Sequence, residues 1–192
     1  MPWEKQFNKD EALDEALKAF WAHGYEATSM QDLVDCTGVN RGSLYATFGD
    51  KRALFLASLR IYDERRRHML SEFEKRSPPR QAIGRVFSSF IDQVSEKGDN
   101  PGCFLTNSAL ELAAHDREIG QFVAAAQADV EAFFARMIRR GKVEGGIAEN
   151  IKPAETARGL LASLLGLLVL VRSRPDRNLL QSILTDALRR LD

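Results

Sequence analysis

Residues 28–51, TSMQDLVDCTGVNRGSLYATFGDK, constrain this 192-residue chain more than any other stretch. Leu33, Val34, Val39, Leu44 and Phe48 recur at spacings that bury one face of each of two short helices, leaving Thr28, Asn40, Arg41, Ser43, Tyr45 and Lys51 facing outward. Thr28 stands three residues before Gln31, the pattern of a capping box, and so starts the first helix. Gly38 ends it, because glycine accepts the left-handed backbone of a helix stop. Asn40 is then the N-cap of a second helix, Arg41 to Phe48. Cys36 follows Leu33 by one helical turn, which predicts a small buried thiol on the inner face.

The start of the second helix combines Asn40, Arg41 and Ser43 with Gly42, which permits close backbone approach. Its dipole presents positive charge at the same end, as a phosphate backbone requires. This is the layout of a helix-turn-helix. Around it, Phe7 to Phe55 resemble the DNA-binding module of the TetR family of one-component repressors. The resemblance lies in the leading helix ALDEALKAFWAHGY, Ala27-Thr28-Ser29, Gly38-Val39, Gly42-Ser43-Leu44-Tyr45, Phe48 and Asp50-Lys51. It implies an all-α fold: a three-helix helix-turn-helix module over residues 1–50, joined to an effector-binding and dimerisation bundle over residues 51–192. It also implies that Thr28, Tyr45 and Lys51 hold phosphates, while Arg41, Gly42, Ser43 and their neighbours Asn40 and Thr47 approach base edges. Asn40 stands where serine is frequent, and Ala46-Thr47 where histidine or another bulky polar residue follows the tyrosine. Those departures bear on which operator is read and leave the fold alone.

Charge gives a weaker signal. Lys and Arg total 27, as do Asp and Glu, so no general basic coat exists. The first fifty residues are acid-rich, and a DNA contact must come from local placement on the docking surface. The N-terminus, MPWEKQFNKDEALDE, has no apolar signal segment, and the run Gly159 to Val171 is too short to span a bilayer, so a cytoplasmic protein without membrane attachment is expected. Cys36 and Cys103 lack ligand spacing, and His23, His68 and His115 are scattered, so neither a metal nor a cofactor is expected.

Helical periodicity continues to the end of the chain. Asn8 and Glu11 form a capping-box pattern for the first helix, which Gly24 closes. A long helix runs from Asp50 toward Lys75 and stops at Ser77-Pro78-Pro79; Asp99-Asn100-Pro101-Gly102 reads as a turn. A short helix from Cys103 to about Ala114 and a longer one from Arg117 to Arg140 follow. Gly141 to Gly146 lacks the Gly-Lys-Ser/Thr ending of a phosphate loop and reads as a helix stop. Pro153 opens a helix that is apolar nearly all round, which calls for partners on more than one side. Gly159, Ala162, Ser163 and Gly166 would let helices approach closely, and the resemblance places a dimer-forming helix pair here, with Leu164, Leu168, Leu184 and Leu188 as its contacts.

Phe87, Phe90, Phe104, Phe122 and Phe134 supply bulk that either fills a core or lines an effector pocket, and the resemblance implies a pocket among them. The segment PGCFLTNSALEL, residues 101–112, resembles one carried by a subset of these regulators, some of which sense electrophiles or oxidants through the cysteine. Backbone N–H groups at a helix start favour the thiolate, so Cys103 is expected to react faster than Cys36. The expected protein is a homodimer on a near-palindromic operator, released by an apolar or electrophilic small molecule. A Cys103 thiol sensor is the alternative. An architectural DNA binder, and an enzyme built on Cys103, His115, Glu111 and Asp116, stay open as further readings.

Overall fold

Helix ends fall where side chains supply the hydrogen bonds that a helix terminus lacks. The computed structural model describes residues 7–94 and 100–192, and among these it contains nine helices and no strand. They are α1 Lys9–His23, α2 Met30–Thr37, α3 Arg41–Phe48, α4 Lys51–Arg76, α5 Pro79–Ile91, α6 Phe104–Leu112, α7 Arg117–Val143, α8 Pro153–Ser173 and α9 Arg177–Arg189. Asn8 caps α1, Asn40 caps α3, Asp50 caps α4, Asp116 caps α7 and Asp176 caps α9, each accepting from backbone N–H groups two or three residues after the cap.

The all-α architecture is the one expected, with local corrections. The capping box of α2 is formed by Ser29 and Asp32 instead of Thr28 and Gln31: Asp32 N donates to Ser29 Oγ at 3.1 Å, and Ser29 N donates to Asp32 Oδ2 at 2.7 Å. A carboxylate completes the box better than an amide because it is ionised and sits at the positive helix end. The turn expected to begin at Asp99 has its first residue outside the described residues, as are residues 1–6 of the N-terminal stretch.

Packing joins the segments into one continuous core. Helices α1, α2 and α3 close over Phe20, Leu33 and Leu44, all essentially solvent-free. Phe55 of α4 then touches both sides, edge-on to Phe20 at 5.1 Å between ring centroids and to Phe104 of α6 at 5.3 Å. The rest of the body is α5 to α9, in which α7 lies along α8 and α9 packs on both α5 and α8. α8 is longer than the apolar run read from the sequence, because its first turns take in residues 153–158. At 21 residues and a mean hydropathy of 1.7 over its best window, it is long and apolar enough to cross a membrane. Here Leu160, Leu164, Leu167, Leu168 and Val171 are buried, on a helix that packs against α7 and α9.

Candidate functional site

Local chemistry fixes the orientation of α3. Asn40 Oδ1 accepts Ser43 N–H at 2.9 Å, which sets where the helix starts. Leu44 is buried and anchors the inner face, so Asn40, Arg41, Gly42 and Tyr45 are left exposed, with Ser43 and Thr47 half-buried beside them. Arg41 lies 6.0 Å from the Tyr45 ring centroid, and Lys51 Nζ stands 4.3 Å from that of Tyr25. Thr28 departs from the expected outward set. It is 1% exposed, and its hydroxyl donates to Gly24 O at 2.6 Å, tying the α1–α2 loop together instead of reaching outward.

Contacts far apart in sequence hold this module to the body. The Glu111 carboxylate of α6 accepts Tyr25 N–H at 3.1 Å and Glu26 N–H at 2.8 Å. Trp21 Nε1 donates to Gly102 O at 3.1 Å. Arg52 Nε donates to Asp116 Oδ2 at 2.6 Å, and its Nη2 reaches Asp116 Oδ1 and Glu118 Oε2, both at 2.9 Å. This fork, together with the Ile119 N–H, holds the Asp116 carboxyl down at about 2. The acids Glu111 and Asp116, read from sequence as candidate acid or base groups, are thus committed to structural partners.

A short helix capped by Asn40, exposed on its polar side and braced by a long helix leading into an all-helical body, is an arrangement that comparison with known proteins resolves. The pattern described as bacterial regulatory proteins, tetR family, matches residues 12–58, and that described as tetracyclin repressor-like, C-terminal domain, matches residues 79–186. This chain belongs to the TetR family. It is 30% identical to an uncharacterized HTH-type transcriptional regulator, YezE of Bacillus subtilis, over 98% of each chain. It is 30% identical to the HTH-type transcriptional repressor ComR of Escherichia coli, over 96% of this chain and 89% of ComR. The TetR-family regulator CifR, solved as a cysteine mutant with 26 bp of double-strand operator DNA, superimposes with a TM-score of 0.84 at 25% identity, covering 97% of each chain. As a TetR-family member the protein is a DNA-binding transcriptional regulator and not an enzyme.

The TetR-family body contains an apolar cavity of about 50 Å3 between α4, α5, α6, α7 and α8. Of the six residues expected to contact an effector, Phe90 and Cys103 border it. Phe87, Phe104 and Phe134 are instead solvent-free core, with Phe87 and Phe134 stacked at 6.1 Å between centroids, and Phe122 is half-buried away from the cavity. Met69, Leu105, Val130 and Leu161 line the space. Their spacing in sequence signals only burial, which a core residue shows equally. Cys103 N-caps α6, is 6% exposed, and accepts the Tyr62 hydroxyl at 3.5 Å. Burial pushes the Tyr62 phenol well above its usual range. Cys36, expected inside, is exposed; its partly covered thiol is held above its ordinary value by desolvation and by Glu15.

The four leucines expected at a subunit interface point elsewhere. Leu164, Leu168 and Leu184 are buried within the protomer, and the first two border the cavity. Leu188 packs toward α5, its Cδ1 3.5 Å from where a Cβ on Gly84 would lie. The outward side of α8 is Ala162, Gly166 and Val169, and that of α9 is Gln181, Ser182 and Thr185. Helical phase explains the difference, since Ala162 and Gly166, read from the sequence as places of close helix approach, lie on the side of α8 opposite to Leu164 and Leu168.

Proposed function

We propose that the protein acts in the cytoplasm as a homodimeric repressor on a near-palindromic operator, and that a small molecule in the body cavity releases it. The observation that carries this reading is the exposed polar face of α3, capped by Asn40, with Lys51 at the start of the helix that leads to the cavity. Tyr45 and Lys51 would hold phosphates, and Asn40, Arg41, Gly42, Ser43 and Thr47 would lie toward base edges. Two recognition helices about 34 Å apart fit successive major grooves. The outward strip of α8 supports a second copy. At Gly166 an added Cβ would meet no atom of the protomer within 4 Å, and Val169 is 44% exposed.

Coupling follows from the path of α4. Its first residue is Lys51, and Met69 and Leu70 on its far half border the cavity. A ligand that parts α4 from its neighbours therefore alters the angle at which α3 is presented, and it shifts the population toward a spacing that does not match the operator. Footprinting of the DNA flanking the chain's own coding region tests the reading: one protected, inverted-repeat segment supports it, and diffuse occupancy over unrelated DNA overturns it.

A second reading, favoured by the place of Cys103 on the cavity wall, makes that thiol the receiver of an electrophile. Cys103→Ser would then bind operator normally and ignore a mild alkylating agent that releases the wild type. Release of both proteins alike would exclude it.

A further inference from the structure

Arg66 stands where two spaces meet. It borders the apolar cavity and also a groove of about 230 Å3 between α1, α4 and α5, and Met69 and Phe90 form the rest of the shared wall. Its side chain is 9% exposed. Nε donates to Asp63 Oδ1 at 2.8 Å, and Nη2 lies 2.6 Å from the same oxygen and 3.3 Å from Asp129 Oδ2. Nη1 is buried and has no partner among the described residues. Asp14 Oδ1 and Arg140 Nε also lack a hydrogen bond, but each lies in an ion pair, with Arg65 and Glu144 respectively. Buried donors without a partner cost free energy that an incoming acceptor recovers.

Charge decides what kind of acceptor fits. Asp63 and Asp129 also pair with Arg67, at 2.8 and 3.2 Å, so two acids and two bases close a neutral network. On the groove side Arg65 is balanced by Asp14 at 2.6 Å. An entering carboxylate would lose its hydration and find no surplus positive charge, whereas an uncharged carbonyl oxygen accepts from Nη1 without that cost. The remaining wall is mainly aliphatic, with Leu70, Leu105, Val130 and Leu161.

We propose that the effector is an apolar chain molecule carrying one uncharged carbonyl oxygen, which accepts from Arg66 Nη1 while the hydrocarbon fills the cavity. This rests on the effector-release reading above and names its ligand class. A cavity of about 50 Å3 is well below the ~300 Å3 of an ordinary ligand site, so the chain must displace Met69 and Phe90 and join cavity to groove. Leu17 and Trp21 of α1 border that groove, which brings the ligand against the DNA-binding module itself.

The test uses the full-length protein with three probes of equal chain length: 2-nonanone, nonanoate and nonane. Calorimetric titration of wild type should rank the ketone at least tenfold tighter than the other two. Arg66→Lys keeps a cation for Asp63 but withdraws Nη1, and it should weaken ketone binding at least tenfold. Met69→Trp, which fills the wall and leaves Arg66 intact, should do the same if the lysine variant folds poorly. Absence of ketone binding, preference for nonanoate or nonane, or wild-type ketone affinity in a folded Arg66→Lys protein would overturn the proposal. Release of the footprinted DNA is read separately. Ketone binding that depends on Arg66 without release would leave the site standing and remove the effector reading.

Discussion

The carboxylate of Glu111 receives the backbone N–H of Tyr25 at 3.1 Å, and one of its oxygens would lie 2.9 Å from a Cβ placed on Gly24. A side chain of the body thus holds the loop that joins α1 to α2 within the DNA-binding module. Glu111→Ala leaves the Tyr25 and Glu26 N–H groups without their charged acceptor and should cost about 1–3 kcal/mol. Gly24→Ala should cost at least as much, because Gly24 has φ +88° and the new methyl meets the carboxylate. Chemical denaturation checks both, and amide exchange should quicken at residues 24–26 in Glu111→Ala.

The proposed DNA contacts separate by chemistry. Lys51→Ala should weaken binding to all duplexes alike and reduce the salt slope by about one, and Tyr45→Phe should weaken it without changing sequence preference. Arg41→Ala should relax preference at particular base pairs by about 1–3 kcal/mol if its guanidinium leaves the Tyr45 ring for a base edge. Salt-dependent binding to operator and scrambled duplexes reads all three. Unchanged affinity in every variant would mean that another face docks.

Asp116 gives a pH signature. Its carboxyl is held at about 2 in the folded chain by Arg52 first and by the Ile119 N–H next, below the ordinary 3.8. A depressed carboxylate favours the fold above its unfolded pKa, and that support is lost as pH falls through the folded value. The difference in thermal midpoint between wild type and Asp116→Asn should therefore be constant from pH 7 to about 5 and shrink as pH drops from about 4 toward 2. A difference that instead varied between pH 5 and 7 would point to another group.

The outward face of α8 makes the assembly prediction. Val169→Glu and Gly166→Glu should yield a folded monomer, since each places a charge where a second copy would cover it, while Leu164→Glu should destabilise the protomer itself by several kcal/mol. Sedimentation combined with circular dichroism distinguishes them. Dimers persisting in both surface variants would move the interface elsewhere.

The helices were legible in the sequence because their signals are local. Asn8, Gly24, Gly38, Asn40 and Asp50 mark boundaries through bonds that reach only a few residues, Pro153 does so through its fixed backbone angle, and the structure uses all of them. The same locality explains the near miss at Thr28, where two hydroxyl residues stand side by side and only the path of the loop from Gly24 decides that Ser29 becomes the cap. The exposed face of α3 was readable for the same reason, since a helix of eight residues with a buried Leu44 has one remaining side.

What tertiary structure decided involves partners distant in sequence. Nothing near Glu111 indicates Tyr25, and nothing near Arg52 indicates Asp116, because each pair meets only when α6 and α7 fold back on the α1–α2 loop and the start of α4. On α8 the leucines occupy one broad side of the helix and Ala162, Gly166 and Val169 the other, so the sequence separated the two faces, and the placing of α7 and α9 turned the leucine side, with Leu164 and Leu168, to the interior. Among the phenylalanines, size and apolarity suit a core and a pocket equally. Only the shapes left between five packed helices made Phe90 a wall and Phe87 a filling, because a cavity is defined by where atoms fail to meet.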